Sequence, residues 1–318
     1  MQIGMIGLGR MGANIARRLM RHGHEVVAYD QNAMAVAALG ADGSKTATSV
    51  ETLVKALQPP RAVWVMLPAG DATETAIEQL SGMLAGGDTI IDGGNSFWKD
   101  DLRRAGTLKA RGLHYVDVGT SGGVLGRESG YCLMIGGERQ AVERLAPIFN
   151  TLSPGGDGKA EPATQGWLHV GGNSAGHFVK MVHNGIEYGL MQAYAEGFQL
   201  LAEADAANVP ERERLTLNTA AIAEVWRHGS IVSSRLLDVI AAALDNDKSL
   251  KDFTGVVEDT GEGRWTVQTA IERAIPAMAL TTALNARFRS RRAPNYADKL
   301  ISAMRRGFGG HAEPKAKT

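Results

Sequence analysis

Five polar residues recur at helical spacing in the middle of the chain. Lys180, His183, Asn184, Glu187 and Tyr188 fall at i, i+3, i+4, i+7 and i+8 within 174–190, so a helix gathers them into one stripe. A stripe of this kind is ordinarily the solvated face of an amphipathic helix. Here Phe178, Val179, Met181, Val182, Ile186 and Leu190 cover most of the remaining circumference, and glycines stand at 185 and 189. The helix is therefore expected to be buried and closely packed. A buried stripe holding a base, an acid and two amphoteric groups is a candidate catalytic site.

A second constellation lies at the start of the chain. Gly7-Leu8-Gly9-Arg10-Met11-Gly12 follows the apolar run Gln2–Ile6 and opens a helical pattern, which is the strand–turn–helix context of a dinucleotide fingerprint. Gly7 permits the tight turn, Gly9 lets a pyrophosphate approach the backbone, and Gly12 allows helix and strand to pack closely. The helix N-terminus offers unpaired N–H groups and a partial positive charge. Asp30 stands eighteen residues after Gly12, at the end of the next strand, where a carboxylate accepts from both ribose hydroxyls. It would repel a 2′-phosphate, and Gln31 and Asn32 supply no cation, so the pattern favours NAD over NADP. The competing role for Asp30 is as a cap of the following helix.

Two further glycine clusters close strands. Asp117-Val118-Gly119-Thr120-Ser121-Gly122-Gly123 and Asp92-Gly93-Gly94-Asn95-Ser96 both sit at carboxyl ends, where doubly wound sheets bind ligands. Ser121 with the neighbouring glycine N–H groups suits an anion or a hydroxyl.

These residues need elements to hold them. Strand-like runs occur at 2–6, 25–29, 61–67, 88–92, 114–118, 131–135 and 167–170, with amphipathic stretches at 11–21, 73–84, 100–110 and 140–149 between them. Such alternation predicts a parallel sheet covered by helices on both faces. From 174 to 304 the pattern is helical, broken at 208–210, 228–229, 260–263 and Pro294. The expected organisation is α/β: a Rossmann-like doubly wound domain over 1–172, an all-α substrate and dimerisation domain over 173–304, and an extended tail over 305–318.

Composition narrows the classes. In 318 residues, Lys+Arg and Asp+Glu are both 34, which argues against a dedicated nucleic-acid binder. The single cysteine, Cys132, excludes an intrachain disulfide and a cysteine zinc cluster, and its apolar surroundings predict a buried small hydrophobe. No signal peptide and no membrane span is visible, so a cytoplasmic protein is expected. Glycine is abundant, at 39 residues, without any low-complexity tract.

Taken together, these motifs resemble the decarboxylating 6-phosphogluconate dehydrogenases, within the β-hydroxyacid dehydrogenases. The resemblance runs from Gly7–Gly12 through Asp92–Asn95, Gly119–Gly123, the Lys180–Tyr188 helix and Gly263-Arg264-Trp265-Thr266 to a tail Arg305-x-x-Phe308-Gly309-x-His311. The first three are shared across the superfamily; His183–Tyr188 and the tail are more specific. The length corresponds to a short form without the second helical repeat.

The resemblance implies oxidation of 6-phospho-D-gluconate at C3, then loss of C1 as CO2 to give ribulose 5-phosphate. Lys180 would take the C3 hydroxyl proton and Glu187 would protonate C1 of the enediol. His183 and Asn184 would hold sugar hydroxyls, with Asn95, Ser121, Gly122 and Gly123 around the carboxylate end. Tyr188, Arg287 and Arg305 would hold the phosphate, with His311 nearby. The fingerprint residues, Asp30 and Asn95 would contact the cofactor. No metal is implied, because the Lys180 ammonium can polarise a β-keto acid. Burial would have to lower the Lys180 pKa from ~10.4 toward ~7–8 and keep Glu187 protonated. The implied assembly is a homodimer exchanging polar tails, with pairing into tetramers left open.

The chain departs from the long form at Thr260-Gly261-Glu262, where a lysine and a threonine are expected. Glu262 would repel a phosphate if it pointed inward, so it is expected to point away or to pair with Arg264. Two other functions remain open on the sequence: a non-decarboxylating β-hydroxyacid dehydrogenase of the 3-hydroxyisobutyrate type, and an NAD-sensing regulatory protein.

Overall fold

The computed structural model describes residues 1–155 and 160–313. The chain separates into two compact units, Met1–Met181 and Val182–Thr318. The division falls inside one helix, Ala175–Ala202, whereas the expected boundary at 172/173 precedes it.

The first unit is built on one eight-stranded sheet. Its strands are β1 (Gln2–Ile6), β2 (Glu25–Tyr29), β3 (Lys45–Thr46), β4 (Ala62–Val65), β5 (Thr89–Asp92), β6 (His114–Ser121), β7 (Cys132–Gly137) and β8 (Trp167–Gly171), in the spatial order β3-β2-β1-β4-β5-β6-β7-β8. Seven coincide with the apolar runs of the sequence. The eighth, β3, consists of two exposed residues and leaves no hydrophobic trace.

Alternate residues feed two cores, as the pleat requires. Ile3, Met5, Trp64, Ile91 and Val116 pack on one face, and Ile6, Val63, Val65, Ile90 and Tyr115 on the other.

One pairing departs from the all-parallel expectation: β7 runs antiparallel to β6. A parallel return needs a crossover of a dozen or more residues. Only ten residues separate the two strands, and Gly122, Gly123 and Gly130 turn them with φ of 134°, 55° and 86°.

The start of the long helix is locked to β6 and β7. Gly176 lies so close that a Cβ would come within 2.5 Å of the carbonyl oxygens of Asp117 and Met134. The buried Asp117 carboxylate accepts from Ser174 N at 2.7 Å and His177 N at 3.0 Å, satisfying N–H groups that a helix start leaves unpaired. Ser174 adopts φ +75° to make this turn.

The His177 ring contacts Asp101 Oδ2 at 2.7 Å, and Tyr115 OH donates to Asp101 at 2.8 Å and Asp92 at 3.1 Å. Arg104 donates to Asp92 at 3.2 Å. Asp92, Asp101 and His177 form a triad of metal-ligand types, with both carboxylates and His177 Nδ1 engaged in this buried ion-pair network and His177 Nε2 without a hydrogen-bond partner.

The second unit is helical, with Thr219–Arg227, Arg235–Asn246, Glu262–Glu272, Met278–Ser290 and Tyr296–Gly309 packed around the continuation of the long helix. Its core includes Met191, Phe198, Leu237, Ile240, Leu300 and Met304.

The last helix carries through Arg305, which is therefore not in an extended tail. Leu300, Met304 and Phe308 keep helical spacing, and Gly307 faces Val239 where a Cβ would lie 2.3 Å from Cγ1. The helix ends at Gly310, φ +64°, in a left-handed cap. Beyond it Glu313 accepts from Thr254 N and Gly255 N, so the described part of the tail docks on its own chain.

The long helix is also less buried than its composition suggested. Val179, Ile186 and Leu190 are exposed in the single chain. Among the described residues no helix is long and apolar enough to cross a membrane.

The ion pair sets a pH dependence. Burial disfavours the His177 imidazolium, but the carboxylates of Asp101, Asp92 and Asp117 outweigh it and push its pKa up to about 10. Burial raises Asp101 to about 6 against the pull of His177. A folded pKa raised above 6.5 contributes stability that is complete below pH 6.5 and is lost as pH rises toward 10. The stability advantage of the wild type over His177→Gln, measured by denaturant unfolding, should therefore shrink steadily from neutral pH to about pH 10. An advantage that held constant over that range would contradict a charged His177.

Candidate functional site

The fingerprint adopts the geometry its glycines imply. Gly7 has φ +92° and bonds through its N–H to Tyr29 O, and a Cβ there would strike Met66 O at 2.4 Å. A Cβ on Gly12 would lie 1.9 Å from Gly7 O, so helix and turn interlock only with glycine. Gly9 has nothing within 4 Å of a built Cβ, which leaves its backbone open to a ligand.

The helix Arg10–Arg21 starts at Gly9 without a side-chain cap and without an acid in its first turn, so its N-terminal field is uncompensated. Arg10 is exposed there and Met11 packs against the core. Asp30 accepts from Leu8 N at 2.6 Å and Asn32 N at 2.7 Å. The cap of the next helix is Asn32, not Asp30. A carboxylate offers about four acceptor positions, so Asp30 retains capacity for ribose hydroxyls. These residues fit a dinucleotide.

The two strand-end clusters are equally constrained. A Cβ on Gly93 would lie 2.1 Å from Trp64 Nε1 and one on Gly94 would lie 2.7 Å from Leu67 O, and the loop they form exposes Asn95. Ser121 ends β6, followed by the left-handed Gly122 and Gly123. Gly119 in β6 meets the long helix, where an added Cβ would lie 2.4 Å from Lys180 Cβ. Lys180 is thereby held over the strand, 7 % exposed.

Cys132 is not the buried hydrophobe expected from its neighbours. It is the first residue of β7, opposite Ser121, and its side chain is exposed. The protein around it still raises the thiol pKa, against the opposing charge of Lys180. Tyr131 and Leu133 on either side are buried, and successive strand residues point to opposite faces, so the apolar run does not fix the surroundings of Cys132 itself.

All five stripe residues lie on the helix Ala175–Ala202. Asn184 is buried, and its Oδ1 is 3.3 Å from His183 Nδ1. His183 Nδ1 is 3.6 Å from Glu187 Oε2, and the Glu187 side chain is 25 % exposed.

In the second unit, Gly185 packs on Thr266 and Gly263 on the ring of Tyr188, with built Cβ distances of 2.7 and 2.3 Å. Arg287, 2 % exposed, stacks its guanidinium 3.3 Å from the centre of that ring. Burial lowers Arg287 to about 10, so it stays cationic at neutral pH; burial also lowers Arg305 and raises Tyr188.

Arg305 belongs to the same group electrostatically, coupled to Tyr188 and Glu262 of its own chain. His311 lies against Phe308 at the end of the last helix. Arg264 pairs with Asp259, not with Glu262.

Sequence reasoning did not find Asp101, His177 or Asp117 as supports of the lysine. The ion pair joins residues 76 positions apart, a separation that carries no local signal. Nor did it foresee a cavity of about 640 Å³ lined by Arg264, Phe288, Arg289, Arg291 and Arg292.

Comparison with known proteins agrees with this geometry. Residues 2–161 match a family described as the NAD binding domain of 6-phosphogluconate dehydrogenase, and residues 176–212 and 193–312 match its C-terminal domain. The chain is 41 % identical over 312 residues to the Haloferax volcanii protein named 6-phosphogluconate dehydrogenase, NAD(+)-dependent, decarboxylating, covering 98 % of each. A Plasmodium falciparum 6-phosphogluconate dehydrogenase structure superposes with a TM-score of 0.77 at 28 % identity, covering 92 % of this chain and 62 % of that longer one. The fold is also that of a Mycobacterium tuberculosis 3-hydroxyisobutyrate dehydrogenase, with a TM-score of 0.70 at 19 % identity. On its full-length identity, its two domain matches and the geometry of its helices, the chain belongs to the 6-phosphogluconate dehydrogenase family.

Proposed function

We propose that this protein oxidatively decarboxylates 6-phospho-D-gluconate to D-ribulose 5-phosphate and CO2, with NAD as the preferred oxidant. The observation that carries the reading is the stripe itself. One helix presents Lys180, His183, Asn184, Glu187 and Tyr188 together, with the buried Arg287 cation stacked on Tyr188.

Bound NAD supplies the hydride acceptor. Lys180, 7 % exposed, removes the C3 hydroxyl proton as the general base. The resulting ammonium polarises the C3 carbonyl and returns its proton to that oxygen as the C1–C2 bond breaks and CO2 leaves, giving the enediol and the neutral amine, so the route draws on no metal. Glu187 then protonates C1 of the enediol, and Lys180 recovers the hydroxyl proton as the ketone forms. His183 and Asn184 hold the sugar hydroxyls. Asn95, Ser121, Gly122 and Gly123 receive the carboxylate end, and Tyr188, Arg287 and Arg305 the phosphate.

NADH and CO2 should appear in equal amounts when the protein is given 6-phosphogluconate and NAD. NADH without CO2 would move the chain to a non-decarboxylating dehydrogenase, and neither product would leave a sensor. Lys180→Ala should lower kcat by about 100- to 10,000-fold. Glu187→Ala should lose the exchange of the C1 hydrogen of ribulose 5-phosphate with solvent; exchange at the wild-type rate would assign the acid elsewhere.

Asp30 sets the cofactor preference in this reading. kcat/KM should be higher with NAD than with NADP. Asp30→Ala with Gln31→Arg should narrow the ratio by roughly tenfold or more, since like-charge contacts cost several kcal/mol. A wild type that favours NADP would refute the assignment.

The assembly in this reading is a homodimer, as the family resemblance implies; Ile231, Ile271, Ile275 and Met278 are exposed on the second unit of the single chain. Exchange of the segment beyond the last helix between subunits predicts that Lys180→Ala subunits mixed with His311→Ala subunits recover to roughly a quarter of wild type. No recovery would keep His311 in its own subunit's site.

A further inference from the structure

Glu262 does not point away from the phosphate-binding side chains. It is 2 % exposed, its Oε2 accepts from Thr260 Oγ1 at 2.6 Å, and its Oε1 is buried without a hydrogen-bond partner. Among the described residues of the same unit, four more buried polar atoms lack partners: Gln192 Oε1, the Tyr296 hydroxyl and, beside Glu262, Nη2 of Arg287 and the hydroxyl of Tyr188. Glu262, Arg287 and Tyr188 are close enough to act on one another electrostatically. Arg287 stacks on Tyr188, and Gly263, next to Glu262, is pressed against the same ring. Buried polar groups in a folded protein are nearly always bonded, so three orphans at one place mark a ligand position.

The charges that face this position come from four elements. The long helix gives Tyr188, helix Met278–Ser290 gives Arg287, helix Tyr296–Gly309 gives Arg305, and the segment entering helix Glu262–Glu272 gives Glu258, Asp259 and Glu262. Glu258 is exposed, and Asp259 is committed to Arg264 and Arg291. The inner set is thus two guanidiniums and one carboxylate, with net charge +1. A guanidinium only donates, whereas an ionised carboxylate only accepts and can meet a phosphate oxygen only if that oxygen carries a proton.

Building on the substrate reading above, we propose that this cradle binds the phosphate ester as its monoanion. The P–OH donates to Glu262 Oε1, and the ionised oxygens accept from Arg287 Nη2 and Tyr188 OH. Glu262 is in this sense a specificity-determining residue. A free phosphate ester loses its second proton near pH 6, so above that pH the complex takes one proton from solvent. Affinity should then fall as pH rises, by up to about tenfold per unit above pH 7.

Calorimetric titration of the full-length protein with 6-phosphogluconate, without NAD, measures this directly. At about pH 8, in two buffers of different ionisation enthalpy, the wild type should take up close to one proton per site. Glu262→Gln, nearly isosteric and able to donate to a dianion, should take up about one proton fewer and bind with a flatter pH profile. Wild-type binding without proton uptake would overturn the inference by itself, even if the variant failed to fold. So would a folded variant that kept the full uptake. No binding to the wild type at any pH would overturn the substrate reading and this inference with it.

Discussion

The anchoring of one helix start on one strand pair is the constraint on which the site depends. Asp117 caps the first turn of the long helix, and the His177–Asp101 ion pair fixes the face it turns inward. A buried pair of this kind is weak evidence for net stability, because desolvation offsets much of its Coulomb energy. Its value is geometric. Lys180 stands one turn beyond His177, so the lock that orients the histidine also orients the lysine.

Glycine makes that lock possible. At Gly119, Gly136 and Gly176 a single added carbon would fall within 3 Å of the opposing element. The sheet and the helix can touch backbone to backbone only because these positions have no side chain. The same device recurs at Gly12 against Gly7 and at Gly263 against Tyr188.

The second unit uses burial in another way. Two arginines, a tyrosine and a glutamate share a nearly solvent-free space, where each charge interacts more strongly than in water. Arg287 and Arg305 are both destabilised by burial, and each is partly compensated by nearby carboxylates. The carboxylate of Glu262 thus supports the cations before any anion arrives. Thr260 and Glu262 stand where a lysine and a threonine are expected at this loop, a hydroxyl and a carboxylate in place of a cation and a hydroxyl.

Much of this was legible in the residues themselves. The fingerprint, seven of the eight strands and the Lys180–Tyr188 stripe are local patterns, set by strand alternation, glycine turns and the helical repeat. Local periodicity also gave the apolar character of Val179, Ile186 and Leu190, but not their exposure, since that depends on what covers them. It misplaced Cys132 and Arg305 for related reasons: an apolar run does not fix the surroundings of each residue within it, and a glycine-rich segment stays helical when, as at Gly307, the neighbour fits only glycine. The Asp101–His177 pair and the inward Glu262 belong to tertiary structure alone. Both depend on which side chains share a buried volume, and charges far apart in sequence are brought together only when the chain has folded around them.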